Sequence, residues 1–143
     1  MRILFIGDIV GKPGERIITK AVPALRERNR LDLVIVNAEN AEDGSGLKVA
    51  AYKRLCAAGV DAFTLGDHIY KKREIMSVLE EKDNIVKPAN FPPEAPGKEF
   101  VVVKAGNGIL GRTARLSCAA LIALKGVIGI ARVIPDFKGF LSK

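Results

Sequence analysis

At 143 residues the chain is long enough for one domain with a buried core and too short to expect two. With 48% apolar and 27% charged residues, it reads as globular rather than disordered. The net charge of +7 looks like a nucleic-acid signature until it is divided. Residues 1–100 carry 16 Lys and Arg against 15 Asp and Glu, and residues 101–143 carry 7 against 1, with no aromatic stacking platform beside the excess, so no dedicated nucleic-acid module is expected.

The first residues, Met1 to Asp8, contain a basic residue and a short apolar run that ends in an aspartate without a small-residue cleavage site. This predicts a strand over Ile3–Ile6, not a signal peptide. Pro13-Gly14 then opens a helix through about Arg28, with Ile17, Ile18, Ala21 and Leu25 on one face and a kink expected at Pro23. A second apolar run, Leu33–Val36, precedes a helix over Lys48–Ala58 that turns Val49, Tyr52, Leu55 and Cys56 inward and stops at Gly59. A third run, Ala62–Leu65, precedes a helix over Arg73–Glu81 with Ile75, Met76, Val78 and Leu79 inward. From Lys87 to Gly97 the prolines of KPANFPPEAPG exclude regular helix and central strand, so a structured loop is expected. Phe100–Lys104 fits a fourth strand.

Strands alternating with helices of this length give a βαβαβ unit whose parallel strands deliver their carboxyl ends to one edge of the sheet. Gly7-Asp8 follows the first strand, Asn37-Ala38-Glu39-Asn40 the second, and Gly66-Asp67-His68 the third. Asp8 and Glu39 are 31 residues apart, and Glu39 and Asp67 are 28 apart, about one βα unit of roughly 30 residues each. Three acids and the only histidine therefore meet on one rim. Clustered carboxylates repel and call for compensating charge, most economically divalent metal. Two ions about 3.5–4 Å apart can share a carboxylate, clamp a phosphoryl group and generate hydroxide at neutral pH. Glu39, on the middle segment, is the natural bridge. Asp8 would hold one ion, Asn40 and Asp67 the other, and His68 is placed to protonate a leaving oxygen. Gly7, Gly11, Gly44, Gly46 and Gly66 would let backbone approach a phosphate. The same strand ends also suit a non-catalytic nucleotide- or phosphate-binding α/β module. Gly11-Lys12-Pro13-Gly14 lacks the ending of a P-loop.

The segments RILFIGDIVGKPG, VIVNAENAEDGSG, AAGVDAFTLGDHIYKKREI and IVKPANFPPEAPGK resemble, in order and spacing, the bacterial YmdB-type branch of the calcineurin-like metallophosphoesterases. The resemblance covers residues 1–104 and implies 2′,3′-cyclic nucleotide phosphodiesterase activity on a small phosphoester. It implies two iron or manganese ions held by Asp8, Glu39, Asn40 and Asp67, with His68 as the acid. The implied fold is an α/β/β/α sandwich, two sheets flanked by helices, with the parallel βαβαβ core in its N-terminal half. Two departures stand out. The family commonly has Asn where this chain has Asp67, which adds negative charge. The family also completes its metals with three further histidines from a C-terminal continuation, whereas this sequence holds one histidine in all. Lys and Arg cannot replace imidazole, because they stay protonated. The expectation is a partial domain over 1–104, truncated and impaired as given, unless a second copy donates ligands across a homo-oligomer interface.

Residues 105–143 form a divergent, basic and apolar tail. Leu116–Ile134 is interrupted by Lys125 and Arg132, so a buried helix is expected there rather than a membrane span. Back-translated and moved by one base, Ser117–Leu124 permits Phe-Met-x-x-aliphatic-Asp-Cys-Pro, a kind of stretch the family carries about here, which suggests a shifted reading frame. Cys56 and Cys118 have neither the number nor the spacing of a disulfide framework or a zinc site, so a cytoplasmic location is expected.

Overall fold

Alternation along the first strands sorts their side chains into two layers. The structure, a computed structural model, describes residues 2–105, 109–114 and 122–124, with side chains described for 2–103. Strands β1 (Ile3–Ile6), β2 (Leu33–Asn37), β3 (Ala62–Thr64) and β4 (Ile85–Val86) form a parallel sheet in the order β1-β2-β3-β4. The register pairs Phe5 with Ile35 and Ile35 with Ala62. These residues, with Ile3 and Leu33, therefore share one face, while Leu4, Val34, Val36 and Phe63 share the other. Val34, Ile35 and Val36 are all fully buried, as a central parallel strand covered on both faces requires.

Helices cover the second of these faces. α1 (Gly11–Asn29) buries Ile18, Ala21, Val22 and Leu25, and α2 (Val49–Ala57) buries Ala51, Tyr52 and Leu55, in one cluster with Leu4, Val34, Val36 and Phe63. Each fully buried Val, Leu, Ile or Phe among them contributes about 1.5–3 kcal/mol. The buried stripe of α1 differs from the expected one: Val22 is fully buried and Ile17 only half so. The stripe also includes Glu15, whose carboxylate pairs with Arg54 of α2, Nη2 to Oε2 at 3.0 Å and Nε to Oε1. α1 runs through Pro23 to Asn29. α2 ends as expected at Gly59 (φ +97°), where the amides of Gly59 and Val60 bond back to the carbonyls of Cys56 and Leu55. The third helical stretch is a 3₁₀ turn, Arg73–Ile75, followed by α3 (Met76–Glu81), which buries Val78 and Leu79.

The other face is covered by a second sheet. β5 (Phe100–Ala105), β6 (Ile109–Ala114) and β7 (Ile122–Leu124) are antiparallel in that order, and Val103 of β5 packs against Leu33, Ile35 and Ala62. The expected fourth strand, Phe100–Lys104, thus belongs to this sheet, and the fourth parallel strand is β4, two residues long and too short to give a sequence signal. Helices, parallel sheet and second sheet make a mixed α/β arrangement of the expected phosphoesterase type. β6 and β7 lie past residue 104. Within the run Leu116–Ile134, Ile122–Leu124 is strand rather than helix, and the rest of that run lies outside the described residues. Among the described residues no helix is long and apolar enough to cross a membrane.

Candidate metal and phosphate site

Parallel register brings the ends of β1, β2 and β3 side by side, and backbone bonds lace the loops that leave them. The amide of Ile9 donates to Asn37 O at 3.0 Å, that of Gly11 to Asn40 O at 2.9 Å, and that of Ala38 to Thr64 O at 3.1 Å. The Asn37 side chain accepts from the Glu39 amide at 3.1 Å and so shapes the turn that presents Glu39. At Gly46 (φ +85°) a side chain would meet Lys72 at 2.9 Å and Lys71 at 3.2 Å, so the return of this loop depends on glycine.

On this scaffold Glu39, Asp67 and His68 each offer a ligand atom, all within 4.8 Å of one another. Asp8 lies outside that group of three and is joined to it through Asn40. The Asn40 amide nitrogen donates to both oxygens of Asp8, at 2.9 and 3.0 Å, and its oxygen lies 2.7 Å from His68 Nδ1. A carboxylate only accepts, so the Asn40 amide must point its nitrogen at Asp8 and its oxygen at His68. His68 Nδ1 therefore carries the proton that Asn40 accepts. That leaves His68 Nε2 facing the rim, 3.5 Å from Asp67 Oδ2. Hydrogen bonds thus join Asp8, Asn40 and His68 into one arm, and Glu39 and Asp67 stand beside its His68 end.

Glu39 carries the electrostatic load. Burial raises its carboxyl above the ordinary range, the charges of Asp67 and then Asp8 raise it further, and His68 pulls the other way. Its Oε2 is buried without a hydrogen-bond partner, the one such side-chain atom among the described residues. Gly66 explains how the carboxylate fits: a Cβ there would fall 1.6 Å from Glu39 Oε2 and 2.3 Å from Cδ, so the acid occupies the space of the missing side chain. An orphaned buried carboxylate oxygen, beside a second carboxylate and an imidazole, is a donor set that suits a divalent cation. Of the other glycines named from the sequence, Gly7 has open space where its side chain would be.

Basic side chains surround the neighbouring Glu42. Buried Glu42 accepts from Lys48 Nζ at 2.8 Å, and that bond, with the weaker pull of Lys12 and Lys72, holds its carboxyl below the ordinary range. Three buried charged groups, Glu15, Glu42 and Lys87, carry no sequence signal for their burial that matches their partners. For Lys87 there is only its place, a cation opening a loop of prolines whose carbonyls have few donors.

The YmdB-like protein family model matches residues 4–123 of this chain. The chain is 45% identical over 105 residues to the 2′,3′-cyclic-nucleotide 2′-phosphodiesterase of Bacillus subtilis, spanning 73% of this chain and 40% of that protein. Among solved structures, a hypothetical protein from Thermus thermophilus superposes with a TM-score of 0.71 at 42% identity, over 77% of this chain and 42% of the other. A Mycoplasma pneumoniae protein described as a novel phosphatase gives 0.65 at 34%, over 76% and 39%. The chain thus spans about two fifths of the length of the proteins it matches.

Proposed function

Because the chain belongs to the YmdB-like family, we propose that it carries the first half of a metal-dependent phosphodiesterase site acting on a cyclic nucleotide or similar small phosphoester. The observation that carries the reading is the buried, unpartnered Glu39 Oε2 beside donor atoms of Asp67 and His68. In this reading Asp8, Glu39, Asn40 and Asp67 would hold two ions. Two such ions, iron or manganese, would clamp the phosphoryl oxygens and acidify a water molecule.

The remaining work falls to the chain's own groups. Hydrolysis adds water across one P–O bond, and the departing oxygen needs a proton. His68 is suited to give it from Nε2, since Asn40 engages Nδ1 and turns the other nitrogen to the rim. Lys12 and Lys72 would attract the anionic substrate without touching the reacting atoms. The sequence holds one histidine, so the further imidazole ligands its resemblance implies would have to come from outside these 143 residues. A second copy donating ligands is the partner this reading admits. The change of character at residue 104 is a change of sequence, from four motifs to a basic apolar stretch, and the family match itself continues to residue 123. The cytoplasmic setting is retained in this proposal, with Cys56 a free thiol.

The test is a titration with Mn²⁺ or Fe²⁺ while following hydrolysis of bis-p-nitrophenyl phosphate by the wild type, Asp8→Ala and Glu39→Ala. Metal-dependent turnover lost in both variants is expected. Equal turnover in all three would leave the non-catalytic phosphate-binding reading.

A further inference from the structure

Lys87 is 2% exposed, yet no carboxylate pairs with it among its hydrogen bonds. Its ammonium donates to three backbone carbonyls instead, those of Pro92 at 2.8 Å, Pro93 at 3.1 Å and Ala95 at 2.7 Å. An ammonium has three donors, and all three are used. Its backbone is fixed as well, the amide bonding to Lys98 O at 2.8 Å beside the bridge between Val86 and Lys98. One buried lysine thus joins the ends of the loop over 88–97 through its amide and holds the middle through its ammonium.

The loop in turn grips the segment that leaves β3. Tyr70 Oη donates to Pro96 O at 2.7 Å, and its ring meets Phe91 edge-on with centroids 5.6 Å apart. Tyr70 stands two residues after His68, in a turn closed by Ile69 N to Gly66 O at 3.2 Å and Lys71 N to His68 O at 3.0 Å. A shift of Tyr70 must therefore be absorbed by the short turn that carries Asp67 and His68.

We propose that Lys87 is a positioning residue for this site: its ammonium shapes the proline-rich loop so that the loop, through Tyr70, fixes the turn holding Asp67 and His68. The metal-binding arm of the test rests on the proposed function, whereas the positional arm does not. With one histidine in the sequence, the imidazole proton signals of His68 report the site without assignment ambiguity.

The experiment records those signals at fixed pH, with and without Mn²⁺, for the wild type, Lys87→Met, Tyr70→Phe and Arg26→Met. The last removes the bonds of Arg26 to Gly59 O and Asp61, away from the site, and controls for plain destabilisation. Lys87→Met and Tyr70→Phe are expected to move the metal-free His68 signals and to raise the Mn²⁺ concentration that broadens them by about tenfold, the low end for groups that orient metal ligands. Arg26→Met should lower the melting temperature and leave both readings in place. If Mn²⁺ fails to broaden the wild-type signals, the metal reading falls, and the metal-free shifts alone decide the role of Lys87. Where Lys87→Met does not fold, Lys87→Gln, which keeps two of the three donors without the charge, replaces it. Unchanged His68 signals in folded Tyr70→Phe, or in the folded Lys87 variant, overturn the proposal.

Discussion

Gly66→Ala separates the site from the fold more cleanly than deletion of a ligand. The added Cβ would lie 1.6 Å from Glu39 Oε2, 2.3 Å from Cδ and 2.7 Å from Oε1, and a tolerable contact begins near 3.0 Å. The carboxylate must therefore retreat by well over an ångström. Gly66 does not have the positive φ that strains alanine, so the backbone accepts the change. Replacing glycine at such a position stabilises by about 0.4–1 kcal/mol through the unfolded chain. Expelling Glu39 also relieves its burial among Asp67 and Asp8. The metal-free variant should thus melt no lower than the wild type, while its Mn²⁺ affinity falls by about 100-fold, the upper range for disturbing ligand support. Differential scanning calorimetry of metal-free protein, paired with Mn²⁺ titration calorimetry, reads both quantities. A variant that folds and binds Mn²⁺ like the wild type would refute the placement of Glu39 at the ion.

Further outcomes follow from the same geometry. Because the carboxyl of folded Glu39 is raised above its ordinary value of 4.5, the native state binds more protons than the unfolded one just above that pH, and stability falls as pH rises through the window. Metal-free Glu39→Gln should therefore be more stable than the wild type at pH 7 and lose that advantage toward pH 4, which denaturant melts across pH will show. Asp67→Asn removes the nearest charge that raises Glu39, so the Glu39 carboxyl should titrate at lower pH, as carbon-13 NMR of the carboxyl measures. Arg26→Met loses bonds of 2.7 Å to Gly59 O and 2.6 Å to Asp61, and urea unfolding should register a loss of about 1–3 kcal/mol.

Local pattern made most of the parallel half legible. The runs Ile3–Ile6 and Leu33–Val36 are strands as expected, the third run forms β3 one residue short, and Gly59 stops α2. What escaped was decided by long-range packing. The two residues of β4 carry no period, and they are a strand because β3 offers an edge. Glu15 reads as a surface acid at its place in α1 and is buried because Arg54, 39 residues away, faces it. The same holds for Lys87, whose partners are backbone carbonyls, so that only its place at the head of the proline-rich loop points to its burial. At the strand ends, residue types pointed to five side chains, but not to how they pair. That Asn40 stands between Asp8 and His68 follows from side-chain geometry that spacing cannot express.

That pairing gives the two arms different needs. Asp8, Asn40 and His68 satisfy one another through directed hydrogen bonds, so this arm is ordered by the chain itself. Glu39 is not: its buried oxygen lacks a donor, and the charges of Asp67 and Asp8 oppose its ionisation. Evolution of a stable fold alone would favour glutamine or an apolar residue there, together with a side chain at Gly66 to fill the space. A carboxylate kept in that position costs stability unless a cation offsets it, and asparagine at 67 would reduce the cost further. Glu39 and Gly66 would therefore act as one unit whose burial cost a bound ion would offset, and removing either should leave the first arm standing.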